Sequence, residues 1–106
     1  MRTLVTGHQG YIGVHLVRLL KESGHHVTGC DLGLFDGCAW DAIVPADIDL
    51  RQDFRTLTVE DLRGYDAVLH LAAISNDPMG DLDPAITYEI NRDGSVELAR
   101  RSRAAG

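Results

Sequence analysis

Apolar residues along this chain switch between two rhythms. Leu4-Val5, flanked by Thr3 and Thr6, is a short apolar run with β-branched neighbours and predicts a buried strand. From Tyr11 onward Ile12, Leu16, Leu19 and Leu20 recur at i, i+4, i+7 and i+8, the apolar stripe of a helix. Lys21 in the last turn and Ser23-Gly24 beyond it predict the helix end, with a left-handed cap at the glycine. His26 to Cys30 predicts a second strand, closed by Asp31. The stretch Leu32-Gly33-Leu34-Phe35-Asp36-Gly37 has no helical period and predicts a loop to about Asp41. Ala42 to Asp47 (AIVPAD) predicts a third strand, which Pro45 assigns to a sheet edge. A weak helix is expected from Asp53 to Leu62, ended by Arg63-Gly64. Asp66 to Ala73 (DAVLHLAA) is a continuous apolar run and predicts a strand buried on both faces. Asp83-Pro84 marks a helix start, an acid at the cap and proline in the first turn. Ile86, Ile90, Gly94 and Leu98 then step by four along one face towards Ala104-Ala105-Gly106.

Alternating strands and helices imply a parallel sheet in an α/β fold, and right-handed crossovers restrict its topology. The simplest solution is a Rossmann-type doubly wound parallel sheet of order 3-2-1-4. Winding reverses between the first and fourth strands, and ligands of such sheets bind at that point, beyond the carboxyl ends of the strands. Two segments fall there: Thr6 to Gly13 (TGHQGYIG) after the first strand, and HLAAISND after the fourth.

The first of these holds three glycines spaced G-x-x-G-x-x-G: Gly7, Gly10 and Gly13. Gly7 permits a sharp exit from the strand. Gly10 would let a pyrophosphate approach the backbone, and Gly13 lets the helix pack closely on the sheet. The helix N-terminus then offers unpaired N–H groups and a positive dipole end. Asp31 follows Gly7 by 24 residues, close to the roughly 20 expected of the acid that holds a ribose hydroxyl in a dinucleotide fold. The plainer alternative is a glycine-rich turn with no ligand.

Composition narrows the field. With 106 residues the chain suffices for one domain of modest core. A net charge of −6 gives no footprint for nucleic acid or an anionic membrane, so an anionic ligand must be caught by local backbone dipoles. No apolar stretch reaches spanning length, and Met1-Arg2-Thr3 leads straight into the first strand. Two cysteines, Cys30 and Cys38, are too few for a disulfide scaffold, so a reduced, cytoplasmic setting is expected. The five histidines share no metal-ligand spacing, and no metal is expected.

Taken together, Thr6-Gly7-x-x-Gly10-Tyr11-Ile12-Gly13, Asp31, Asp66-x-Val68-x-His70-Leu71-Ala72-Ala73 and Asn91-x-x-Gly94-Ser95 resemble the extended short-chain dehydrogenase/reductases. Within them the resemblance is to the NAD-dependent epimerase/dehydratase branch, whose members mostly act on nucleotide sugars. The resemblance implies NAD as cofactor. Gly7, Gly10 and Gly13, with the N–H groups of Tyr11 and Ile12, would line the pyrophosphate. Asp31, with Leu32 beside it, would meet the adenosine ribose. Asp47-Ile48 resembles the pair that reaches the adenine, and Asp49-Leu50 is an alternative register for it. Leu71, Ala72 and Ala73 would pass beside the nicotinamide-side ribose, with Ser75 and Asn76 facing the nicotinamide or substrate unless Ser-Asn-Asp-Pro is a plain turn. Asn91 resembles the helix asparagine that supports the active-site lysine, and the last helix resembles one that pairs in a homo-oligomer.

One departure is large. The branch's catalytic Tyr-x-x-x-Lys has no counterpart: Tyr11, Tyr65 and Tyr88 are followed four positions on by His15, Leu69 and Arg92. Residues 1–106 are therefore expected to be the amino-terminal NAD-binding part of a nucleotide-sugar epimerase or dehydratase. On this reading the chain stops before a fifth strand, lacks a substrate domain and is inactive alone, a nucleotide sugar binding only in a complete enzyme. Two rival readings are a non-catalytic dinucleotide-binding module and a reductase of a non-sugar carbonyl.

Overall fold

A computed structural model describes residues 1–34, 43–74 and 77–106, with the backbone alone for 77–79. Four parallel strands form one sheet of order β3-β2-β1-β4: β1 Arg2–Thr6, β2 His26–Cys30, β3 Ile48–Leu50 and β4 Ala67–His70. Helix α1 (Tyr11–Glu22) connects β1 to β2, and a 3₁₀ turn (Phe54–Thr56) with α2 (Val59–Leu62) connects β3 to β4. Beyond β4 come α3 (Asp77–Leu82), α4 (Pro84–Tyr88), a π-helical turn (Glu89–Gly94) and α5 (Ser95–Ala105).

Alternation along β1 divides the core in two. Val5 faces α1 and is buried with Val17 and Val27, against which Leu16, Leu20, Ala46 and Leu69 pack. Leu4 faces the other way, into a cluster with Cys30, Phe54, Leu57, Leu62 and Leu98. Helices thus cover both faces of the sheet, as the doubly wound reading requires. Residues fully removed from water here each contribute roughly 1.5–3 kcal/mol of hydrophobic stabilisation.

α1 ends as expected. The N–H of His25 bonds to Leu20 O and that of Gly24 to Lys21 O, with Gly24 at φ +83°, which is a Schellman cap. The stripe of α1 is rotated from its expected position, however. Val17 and Gly13 are the buried residues, whereas Ile12 and Leu19 are exposed.

Four parts of the fold depart from the sequence reading. β3 starts at Ile48, and residues 43–47 of the expected strand (Ala42 lies outside the described residues) are not in it. The reason is that Pro45 has no N–H to give, and ladder bonding begins only when the Asp47 N–H reaches Val27 O (2.8 Å). The expected helix 53–62 is broken in two by its own capping side chains. Asp53 accepts from the Arg55 N–H and starts the 3₁₀ turn, while Thr58 and Asp61 form a reciprocal capping box that starts α2 afresh. β4 is half-buried at every position rather than buried on both faces, since β1 is its single strand neighbour among the described residues. α3, in turn, occupies a stretch with no helical signal. Cys38 and the rest of the loop from Phe35 lie outside the described residues.

The tightest packing is at the start of α1. A β-carbon at Gly13 would fall on the carbonyl oxygen of Gly7 and the backbone of His8, atoms that cannot swing aside. Gly13→Ala should therefore cost about 1–3 kcal/mol in urea denaturation, as overpacking does. Gly10→Ala, whose nearest neighbour would be Gly7 O at 3.3 Å, should cost less than about 1 kcal/mol. Equal losses would show that the loop yields as a whole.

Candidate dinucleotide-binding site

β1 ends in Thr6, and the chain turns away through Gly7 in the left-handed region at φ +70°. That turn is fixed from both sides. The Gly7 N–H donates to Cys30 O (2.8 Å), and a β-carbon on Gly7 would stand 2.8 Å from Ala72 N and 2.9 Å from the Leu71 carbonyl carbon. The glycine loop and the segment after β4 are thus in backbone contact. The Gly10 N–H donates back to Gly7 O (3.1 Å) and Gly10 supplies no side-chain cap to α1. Helix geometry leaves the N–H groups of Tyr11, Ile12 and Gly13 without acceptors inside the helix. Tyr11 and Ile12 are exposed, 87% and 65%, at the mouth of this cradle.

Asp31 stands at the end of β2 with both carboxylate oxygens engaged by the backbone around it. Oδ2 accepts from the Gln9 N–H (3.1 Å) and Oδ1 from the Gly33 N–H (2.8 Å). The acid is therefore tied to the glycine loop itself, with Leu32 exposed next to it. The Arg51 guanidinium covers Gly33, where a β-carbon would lie 3.0 Å from its central carbon.

Of the two acid–aliphatic registers on β3, the structure brings Asp49-Leu50 and not Asp47-Ile48 to this end of the sheet. Asp47 lies at the amino-terminal rim, where it accepts from the Val27 N–H (2.8 Å) and pairs with Lys21 Nζ (3.1 Å). Those bonds, the Val27 one foremost, hold its carboxyl below the usual range. Ile48, next to it, pairs with Thr28 in the middle of β2, whereas Leu50 pairs with Cys30 at its carboxyl end, and Leu50 O accepts from the Asp31 N–H. Asp49 Oδ1 is 3.1 Å from His8 Nε2, and Oδ2 accepts from Gln9 Nε2 (3.4 Å). His8 is buried, its ring seated where a Gly29 side chain would be.

On the opposite flank, Leu71 and Ala72 run past the glycine loop, and Ala73 follows them in the chain. Thr6 Oγ1 accepts from the N–H groups of Leu71 (3.2 Å) and Ala72 (3.3 Å). Asn91, inside the π-helical turn, clasps Ile74 from both sides: its Oδ1 accepts from the Ile74 N–H (2.8 Å) and its Nδ2 donates to Ile74 O (2.7 Å). Ser75 and Asn76 lie outside the described residues.

His70 lies within the apolar run of the fourth strand, yet polar contacts hold it. Its Nδ1 is 2.6 Å from Thr6 Oγ1 and its Nε2 is 2.8 Å from Ser95 Oγ, while the Phe54 ring meets it edge-on at 4.6 Å. A signal did exist: Ser95 lies four residues after Asn91, on the same helix face. Nothing in the sequence marked His8, whose role depends on the bare backbone of Gly29.

These residues suit a dinucleotide. Alpha-helical N–H groups stand over a surface cleared of β-carbons, a fixed carboxylate lies at one side, and a backbone wall lies at the other. The match with known proteins agrees with that geometry. The model of the NAD dependent epimerase/dehydratase family matches residues 3–106. The chain belongs to this family. It is 35% identical to a UDP-glucose 4-epimerase of Mycolicibacterium smegmatis, aligned over 100% of this chain and 36% of that protein. It is 33% identical to the sterol demethylase protein B of Methylococcus capsulatus, over 100% of this chain and 32% of that one. Among solved structures, a dTDP-glucose 4,6-dehydratase of Streptomyces venezuelae with NAD bound superposes with a TM-score of 0.82 at 31% identity, covering 100% of this chain and 37% of the other. The chain spans about a third of the length of each of these relatives.

Burial pushes the His70 imidazole below its ordinary value of 6.5. The unfolded chain then binds a proton more readily than the folded one in the interval between the two values. The contribution of His70 to stability is complete above pH 6.5 and is lost as pH falls through the folded pKa. Urea midpoints recorded between about pH 7.5 and 5 should decline, and the decline should be shallower in His70→Phe. Asp47, Asp53 and Asp61, held below 3.8, act beneath this window. Parallel declines in the two proteins would contradict the assignment.

Proposed function

We propose that this chain is the NAD-binding part of a nucleotide-sugar epimerase or dehydratase. One observation carries the reading: an α-helix N-terminus cleared of β-carbons, with the carboxylate of Asp31 bonded to the same loop through the Gln9 N–H. Gly7, Gly10, Gly13 and the N–H groups of Tyr11 and Ile12 hold the pyrophosphate. Asp31 and Leu32 meet the adenosine ribose, and Asp49-Leu50 serves the adenine in preference to Asp47-Ile48. Leu71, Ala72 and Ala73 form the wall beside the nicotinamide half, supported by Asn91. When bound, NAD supplies the hydride acceptor, and the sugar-binding residues and the tyrosine–lysine base belong to no part of these 106 residues.

Without those groups the chain alone turns over no nucleotide sugar. His70 does not replace the base, since both of its nitrogens are engaged. A second reading, a carbonyl reductase or dehydrogenase acting outside sugar chemistry, is favoured by the similarity to the sterol demethylase protein. Both readings need the same cofactor and differ only in the substrate.

A reducing cytoplasm is the setting we infer. Cys30 is a free, buried thiol raised to about 11 by burial and then by Asp31, Asp53 and Asp49, so it stays protonated and unreactive. No helix of the described residues is long and apolar enough to cross a membrane.

Cofactor preference tests the reading. The Asp31 carboxylate opposes a 2′-phosphate, and a hydrogen bond to a charged group contributes roughly 1.5–3 kcal/mol, or about ten- to a hundredfold in affinity. Calorimetric titration should find NAD bound at least about tenfold more tightly than NADP, the lower end because the Arg51 guanidinium is near. Asp31→Ala should erase the difference, and Gly10→Ala should weaken NAD while leaving the fold intact. Tighter NADP binding by the unaltered chain, or an unchanged preference in Asp31→Ala, would sink the assignment.

We also infer self-association through the last helices. The expected apolar face of Ile86, Ile90 and Leu98 is only partly open, because Leu98 is buried and Ile90 packs on the core. The exposed apolar residues are instead Leu82 (86%), Ile86 (46%), Tyr88 (60%) and Val96 (45%), enough to favour a partner. Sedimentation equilibrium should give a dimer or larger species that Tyr88→Lys weakens. A monomer at high concentration would count against it.

A further inference from the structure

The hydrogen bonds around His70 form a chain whose two ends fix its direction. At one end the N–H groups of Leu71 and Ala72 can only donate, and they donate to Thr6 Oγ1. At the other the backbone carbonyl of Asn91 can only accept, and it accepts from Ser95 Oγ at 2.6 Å. The Ser95 hydroxyl proton is thereby used, so the imidazole must donate to Ser95 through Nε2–H. The Thr6 hydroxyl then donates to the bare Nδ1. One neutral tautomer satisfies every group. With the proton on Nδ1 instead, the Thr6 hydroxyl proton loses its acceptor on the ring and Ser95 must give up Asn91 O to donate to Nε2.

We propose that His70 is a positioning residue: by bridging Thr6 and Ser95 it couples the two clamps on the segment Leu71–Ile74 and so holds the wall of the cofactor site in one conformation. The cofactor half of this rests on the NAD-binding reading above. Thr6 grips the beginning of that segment and Asn91 grips its end. Thr6 lies on β1 and Asn91 in the π-helical turn, and His70 links them through Ser95, the first residue of α5, whose hydroxyl donates to Asn91 O. An apolar residue of similar size would fill the space against Phe54 but leave the Thr6 hydroxyl proton without its acceptor and Ser95 without its donor. The Thr6 hydroxyl would then be free to turn, and its hold on the Ala72 N–H would weaken. Phe54 contributes by covering the imidazole, and it reaches that place because residue 94 is glycine: a β-carbon there would stand 3.0 Å from its ring.

The test uses the isotopically labelled chain. Its nitrogen NMR spectrum should show His70 neutral at pH 7 with the proton on Nε2. In His70→Phe and in Ser95→Ala the amides of Ala72 and Ile74 should exchange about tenfold or more faster, the worth of one lost hydrogen bond, while those of Val5 and Val27 keep their protection. NAD affinity of His70→Phe should fall about tenfold in parallel. A proton on Nδ1, unchanged exchange at Ala72 and Ile74, or uniform acceleration across the sheet would each overturn the proposal, the last by reducing His70 to a support of the fold. Should the unaltered chain bind no NAD, the cofactor reading falls. The tautomer and exchange results would still decide whether His70 holds the segment.

Discussion

Two backbone segments more than sixty residues apart in sequence touch above the carboxyl ends of β1 and β4, and the rest of the molecule is arranged around that contact. Gly7 turns against Leu71 and Ala72 with no space for a side chain between them. Directly behind it, Gly13 brings the first turn of α1 down on the Gly7 carbonyl. Helix N–H groups and a carboxylate are common on any protein surface. What sets this place apart is that the glycine loop, Asp31 and the segment after β4 converge, with glycine alone at the points of closest approach. The sheet register serves this convergence, since Thr6 pairs with His70 and with Cys30 at the one level where the loops begin.

The two ends of the sheet are built for different purposes. At the amino-terminal rim, Asp47 and Asp66 do the same job on opposite sides. Each donates its own N–H to a neighbouring strand (Val27 O and Arg2 O, both 2.8 Å) and accepts that same residue's N–H on its carboxylate. These reciprocal pairs fasten β3 to β2 and β4 to β1. At the carboxyl end the polar side chains Thr6 and Asp31 grip loops instead of strands, and His70 ties Thr6 to Ser95 on α5. A rim closed by backbone pairing leaves the opposite rim free to carry irregular segments.

How much of this could be read from the residues depends on the distance over which each signal acts. The order β1, glycine loop, α1, β2 and Asp31 was legible because periodicity, glycine spacing and the αL cap at Gly24 are local. The strand order followed from alternation and handedness alone. The register of β3 was not legible, for a physical reason. Asp47-Ile48 and Asp49-Leu50 are two residues apart, so both present the same faces, and only the bond from the Asp47 N–H to Val27 O tells them apart. The break between the 3₁₀ turn and α2 was hidden likewise, because Asp53 and Thr58 compete as caps within one weak period. His70 was obscured by its apolar neighbours, whereas its partners lie 64 and 25 residues away.

The seat of His8 on Gly29 has a consequence for how this sequence can drift. The imidazole occupies the volume of the missing side chain, so positions 8 and 29 share one allotment of space between them. A larger residue at 29 is admissible only when residue 8 has already become small, and the passage through both large at once is closed by collision. Asp49 is drawn into the same bargain through its contact with His8 Nε2. Three residues on three separate elements therefore vary as one unit, and the order in which they change matters as much as what they change to.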